Sequence, residues 1–289
     1  MHYLAITSLI WAFSFGLIGN ALKGIDPLQV ADVRLLLALL VFLPFLRWQQ
    51  TNKQEKWQLI AIGAIQYGVM YTCLLSSFRY LPSHLVALFT VLTPLYIVII
   101  DSLRKRYFSI DYVLAAALSV AGAAVIKAKN TEGADIWLGF ALIQIANLAF
   151  AFGQVAYRDW KQARPELAHS AVFAWLYLGG ALFTALAAAL ISGKGPIPLE
   201  ANAQQWAVLL YLGLVASGLG FFMWNKGATL TTTGILAAFN NAVVPLAMFA
   251  SLFIFAEAKG GTLEELSRLG LGAALIAFAL LLGRRRHSG

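Results

Sequence analysis

Long apolar runs separated by short polar gaps fill the chain, and none of them alternates polar and apolar positions with a period of two. A helix needs about 20 apolar residues to cross roughly 30 Å of hydrocarbon at 1.5 Å per residue. Ten segments meet that length: 3–22, 28–47, 57–78, 83–103, 110–128, 136–157, 169–192, 205–225, 234–256 and 267–283. The runs are continuous, so they predict helices and not barrel strands. The gaps are too short to hold a soluble domain.

Composition strengthens this pattern. Hydrophobic residues make up 60% of the 289 positions and charged residues 12%. A soluble fold of this size cannot hide so much apolar surface, which makes the chain an all-α integral membrane protein with the bilayer as its main solvent. A single cysteine, Cys73, excludes an internal disulfide framework and a cysteine metal site. The net charge of +8 lies in the gaps and not in a block, so it reports topology and not nucleic-acid binding. With the N-terminus placed in the cytoplasm, 13 of the 21 Lys and Arg fall on the inner side and 7 on the outer, Arg34 lying within a span. Both termini are therefore expected inside. Trp48, Trp57, Trp137, Trp160 and Trp206 stand at span ends, where an indole prefers the interface. The first run has no basic stretch before it and no small-residue cleavage site after it, so it is expected to remain as a helix.

The chain also repeats itself. Trp11-Ala-Phe-Ser-Phe-Gly16 of the first span is matched by Leu148-Ala-Phe-Ala-Phe-Gly153 of the sixth. Trp57 opens the third span as Trp206 opens the eighth, and Thr93-Pro-Leu95 of the fourth is matched by Val244-Pro-Leu246 of the ninth. The chain divides into two five-helix halves, 1–133 and 134–289. Five is odd, so the second half must enter the membrane from the opposite side. Inverted halves are a common construction of secondary transporters, because similar halves can exchange conformations and open one central site to either face.

These residues resemble the EamA-type transporters of the drug/metabolite transporter superfamily, over essentially the whole chain. Trp11, Phe15 and Gly16 of the first span, Arg34 of the second, Pro94 and Pro245, and Glu257 at the end of the ninth carry the resemblance. Arg106 stands twelve residues after Pro94, where the second half has Glu257 twelve after Pro245, so the first half departs from the pattern. The resemblance implies alternating access and export of amino acids or related metabolites. YddG-type aromatic amino-acid exporters are similar in length and layout.

Several side chains are candidates for the transport path. A proline inside a helix removes one hydrogen bond and frees the carbonyl four residues earlier, which makes Pro94 free that of Thr90 and Pro245 that of Asn241. Either the two kinks line a central pore, with Thr90, Asn240 and Asn241 beside it, or neighbouring helices satisfy them. Arg34 carries a gating or structural role, with a side chain long enough to reach the headgroups. Gln144, Asn147, Ala151, Gln154 and Arg158 share one face of the sixth span, and Asn147 either lines the path or bonds between helices. Trp11 with Phe15, Tyr67 with Tyr71, and Phe221 with Trp224 are ring pairs at helical spacing. They form either the wall of a pocket for a partly apolar solute or ordinary packing. His84, near the outer end of the fourth span, is a substrate ligand, a proton carrier or a plain helix-start residue. No carboxylate is placed at mid-membrane, leaving downhill export and proton exchange both open.

The leading function is therefore a bacterial inner-membrane exporter of amino acids or similar metabolites, working as a monomer or weak dimer. Drugs, sugars or nucleotide-linked solutes on the same scaffold are the alternatives. No phosphate-binding glycine loop is present, so no ATP motor lies in the chain, and no ATPase subunit or cofactor is implied. A membrane enzyme would need a nucleophile with its base or a metal cluster, and four scattered histidines supply neither.

Overall fold

The computed structural model describes residues 2–104, 136–193, 195, 197, 200–231, 233–255, 267, 270, 271 and 274. Eight helical segments stand among them: α1 (His2–Ala21), α2 (Pro27–Phe42), α3 (Lys53–Ser77), α4 (Ser83–Phe89, Thr90–Leu92 and Thr93–Arg104), α5 (Ile136–Gln162), α6 (His169–Ser192), α7 (Ala203–Thr229) and α8 (Thr233–Phe249, continuing through Ala250–Ile254). No strand occurs among the described residues. The fifth span, 110–128, the 133/134 boundary, Arg106 and Glu257 lie outside the described residues, as does nearly all of the tenth span.

Six of these helices are long and apolar enough to cross a bilayer. Their outward faces carry the apolar side chains a bilayer requires; Leu190 and Leu186 are 76% and 59% exposed. Trp48 and Trp57 are also exposed, at the ends of their helices. Trp160, expected at the interface, is instead buried with its ring stacked on Tyr157. Helix ends are set by local chemistry. Asp26 caps α2 by accepting from the Leu28 N–H, and Pro27 takes the first helical position, where no amide donor is needed. Reciprocal capping boxes open α3 (Asn52 with Glu55) and α7 (Asn202 with Gln205).

The helices pack as two sets of four, joined where α3 lies on α5 and α1 on α7. In one, α2 lies on α6 and α7, and α3 on α6; in the other, α1 lies on α8, and α4 on α5 and α8. The α3–α6 crossing depends on small residues. A Cβ on Gly63 would strike the Leu176 carbonyl, and one on Gly179 the Ile60 carbonyl. Both atoms are backbone, so the helices approach as closely as two glycines allow.

Five helices depart from α geometry; α6 and α8 do so at their ends, Ala188–Ser192 and Ala250–Ile254, and three do so nearer the interior. Ala64–Val69 of α3 and Tyr211–Leu219 of α7 are π-helical, and α4 narrows to a 3-10 turn at Thr90–Leu92 before Pro94. Each irregularity leaves backbone carbonyls without their helical partners, and where those carbonyls turn decides how the interior is built.

Candidate functional site

A chamber lies between the two groups of helices, with about 740 Å³ of empty space, mouth included. Its walls are mostly apolar. Trp11, Phe15 and Ile18 come from α1, Met70 and Leu74 from α3, Phe150 from α5, Phe221 from α7 and Val243 from α8. The polar groups reaching it are few: Ser14, Arg34, Tyr71, Thr90, Thr93, Asn147 and Asn240. An apolar cavity with a small number of placed polar groups is the usual form of a small-molecule site.

The aromatic wall is a connected cluster. Trp11 sits 4.8 Å from Phe221 and 5.8 Å from Phe150, centroid to centroid, and Phe221 lies 5.7 Å from Tyr71. Behind it stand Trp224 and Tyr67, both fully buried and outside the lining. Trp224 Nε1 donates to Gln154 Oε1 at 2.9 Å, and the Tyr67 hydroxyl accepts from Asn225 Nδ2 at 2.7 Å. Gln66 Nε2 extends the latter network by donating to Asn225 Oδ1 at 3.2 Å. These two rings support the wall and do not touch the cavity.

The π-helical part of α7 organises one flank. Its carbonyls turn out of the helix to meet ring donors: Trp11 Nε1 donates to Ala216 O at 2.9 Å, and the Tyr177 hydroxyl reaches Ser217 O and Gly218 O, each at 2.8 Å. Ser217 Oγ accepts from Arg34 Nε at 3.1 Å and pairs with the Tyr71 hydroxyl at 2.8 Å. Arg34 Nη2 donates to the same Tyr71 hydroxyl at 2.8 Å, while its guanidinium lies 4.4 Å from the centre of the Tyr71 ring. Arg34 does not reach for headgroups; it is 3% exposed and faces the chamber. Asp32, two residues earlier and nearly opposite on α2, is fully buried and accepts from Thr184 Oγ1 at 2.8 Å on α6. Its side chain is the buried carboxyl group that the helix pattern alone did not place in the interior.

The break in α4 organises the other flank. Thr93 Oγ1 donates to the Thr90 carbonyl freed by Pro94, at 2.8 Å. Asn147 Nδ2 donates to Phe89 O at 2.9 Å and to Gln144 Oε1 at 3.1 Å, while its Oδ1 accepts from Thr93 at 3.2 Å. Asn147 thus both lines the chamber and bonds between helices. Gln154 and Ala151 share its buried face.

The two prolines differ. Pro94 is buried, whereas Pro245, inside α8, is exposed on the outer surface of the described helices. Asn240 lines the chamber and donates through Nδ2 to Leu236 O at 3.0 Å. The Asn241 side chain lies outside the described residues. His84 is half-buried at the start of α4 and does not line the chamber. Of the sequence candidates, Trp11, Phe15, Arg34, Tyr71, Thr90, Asn147 and Asn240 meet in one cavity. Ser217, Gln66, Asn225 and Thr184 escaped the sequence reading, although a polar residue within an apolar run is the signal that marks each.

Two further cavities continue from the chamber toward one end of the bundle. The first shares Ile18 with it and is bordered by Lys23 and Arg79; the second shares Lys23, Gly24 and Ile25 with the first. Arg79 Nη2 forms an ion pair with Asp26 Oδ2 at 2.9 Å at this end. Among the described residues no group of three or more His, Cys, Asp or Glu is placed to hold a metal.

Comparison with known proteins agrees with this architecture. Residues 1–128 match the EamA-like transporter family. A protein of Pseudomonas aeruginosa described as a probable biotin transporter is 41% identical over 286 residues, covering 98% of this chain and 97% of that protein. A biotin transporter of Escherichia coli K12 is 40% identical over 257 residues, covering 88% and 85%. One crystal structure superposes with a TM-score of 0.65 at 16% identity, covering 97% of this chain and 96% of the other, a likeness of fold alone. A chain that shares its sequence with these transporters along nearly its whole length, and that encloses such a chamber among its helices, belongs to the EamA-like family of membrane transporters and is not an enzyme.

Proposed function

We propose that the chain carries biotin across the bacterial inner membrane through the central chamber. The carrying observation is an apolar, ring-lined cavity with a few polar groups at the meeting of seven helices, in a chain about 40% identical along its length to proteins described as biotin transporters. Biotin has an apolar pentanoate chain and thiolane ring, with a carboxylate at one end and a cyclic urea at the other. Its shape asks for apolar walls and separated polar groups, and the chamber supplies both. Amino-acid export, the expectation from layout, loses ground because the substrate named for these relatives is biotin.

Transport proceeds by alternating access of two inverted halves, 1–133 and 134–289, each contributing matched helices. The main packing pairs favour this reading, because they have counterparts when α1 to α4 are exchanged with α5 to α8. Thus α2–α7 answers to α6–α3, α1–α8 to α5–α4, and α1–α7 to α5–α3. The matched α3 and α7 each begin with an asparagine capping box and pass through a π turn. Each also places a glycine at its crossing, Gly63 against Leu176 and Gly213 against Leu37. The distribution of Lys and Arg favours both termini on the cytoplasmic side.

The test is counterflow in liposomes holding the purified protein, with labelled biotin and a panel of labelled aromatic and aliphatic amino acids. Saturable exchange of biotin, with none for the panel, is expected. Exchange of amino acids without biotin would restore the earlier reading.

A further inference from the structure

Among the described residues, Arg34 is a buried cation without a counter-ion. No described residue forms an ion pair with it, and its Nη1 has no hydrogen-bond partner although the side chain is 3% exposed. Asp32, the acid nearest in sequence, is engaged by Thr184 instead. An uncompensated charge in an apolar interior is costly, and a charged group inside a span marks a functional site with a partner to be found.

The neighbours leave a second donor. The Ser217 and Tyr71 oxygens accept from Arg34 Nε and Nη2, and the two hydroxyls bond to each other. Two hydroxyl protons are present and that mutual bond uses one, so one is left over. Ser217 is fully buried, whereas Tyr71 lines the chamber. When Ser217 donates to Tyr71, the spare proton belongs to Tyr71 and is available to the cavity.

Resting on the biotin reading and deepening it, we propose that Arg34 and Tyr71 form a carboxylate anchor. Arg34 Nη1 holds one oxygen of the substrate carboxylate, the Tyr71 hydroxyl donates to the other, and the apolar body lies along Trp11, Phe150 and Phe221. The carboxylate supplies the missing counter-charge, between mostly apolar walls where the pairing is stronger than in bulk water. The anchor selects monocarboxylates with an apolar body. It disfavours amino acids, whose ammonium group would be drawn beside the same guanidinium where no described carboxylate lines the cavity to receive it.

The test uses ligand series on the full-length protein in liposomes. Unlabelled biotin should inhibit labelled biotin exchange, with biotinol and biotinamide about 30-fold weaker, the scale of one lost charge-assisted contact. Arg34→Gln should bring acid and amide to within about threefold, and Arg34→Lys should keep part of the preference. If Arg34→Gln does not insert, the wild-type series still decides. Equal inhibition by biotin and biotinamide would overturn the anchor while leaving biotin as the substrate. If the wild type moves no biotin, the substrate reading fails, and thermal stabilisation by octanoate against octanamide decides the anchor separately. Stabilisation by the acid alone supports it, and equal or absent stabilisation rejects it.

Discussion

The two flanks of the chamber are both built where a helix is irregular, yet they end in different states. At the α4 break the freed carbonyls are taken by the protein itself: Thr93 covers Thr90 O and Asn147 covers Phe89 O. Asn147 spends its other N–H on Gln144 Oε1, so neither of its donors is left over. At the π turn of α7 the carbonyls are likewise covered, by Trp11 and Tyr177, but the side chains it supports leave Arg34 Nη1 unmatched. Both flanks touch the same cavity. Gln144 Nε2, behind Asn147, is also unmatched but does not line the chamber, so what separates scaffold from site is whether an unmatched donor stands at the cavity wall for a ligand.

The largest expected effect lies on the saturated flank. Asn147→Leu removes the two bonds Asn147 donates and leaves Phe89 O and Gln144 Oε1 without them, a loss of about 2 kcal/mol of stability. Thermal unfolding in detergent should show a clearly lower midpoint, while the KM of the protein that remains folded changes little. A large rise in KM with an unchanged midpoint would move Asn147 from scaffold to site.

Tyr71→Phe comes next and works in the opposite sense. It removes the proposed second donor to the carboxylate while Ser217 keeps hold of Arg34 Nε. KM for biotin should rise about tenfold, equivalent to about 1.4 kcal/mol, together with a modest fall in the unfolding midpoint from the loss of its bonds to Arg34 Nη2 and Ser217 Oγ. An unchanged KM would leave Arg34 Nη1 as the sole contact.

Much of this contrast was legible in the sequence, and its limits are physical. Six spans and the polar stripe of α5 could be read because a helix in lipid has a fixed length and a 3.6-residue period. Trp11, Arg34, Tyr71, Asn147 and Asn240 were found because polar or ring residues stand out against an apolar run. The direction of a kink was not legible: the proline rule names the freed carbonyl but not the way it turns, and so Pro94 and Pro245 looked alike although one is buried and the other exposed. Nor were the π turns, which carry no punctuation in a run such as Tyr211–Leu219. Without them Ser217 is one small polar residue among many, and its link to Arg34 cannot be inferred. The substrate was the least legible of all, since apolar walls suit an aromatic amino acid and biotin equally; an unpaired donor appears only once the bonds are counted.

The smallest effect gives the sharpest form of the comparison. Thr93→Val deletes one hydroxyl at nearly constant shape, as Tyr71→Phe does, and both residues line the same chamber. Thr93 Oγ1 lies within reach of Thr90 O and Asn147 Oδ1, but it has a single proton to give, so only one bond is lost. That costs about 0.6 kcal/mol, and water in the chamber can reach the Thr90 carbonyl left behind. The unfolding midpoint should fall slightly and KM should stay within about twofold of wild type. Two edits of one oxygen each would then be told apart by transport, since only Tyr71→Phe raises KM. If Thr93→Val raised KM as far as Tyr71→Phe, the α4 flank would hold substrate too, and a completed set of internal bonds would no longer distinguish scaffold from site.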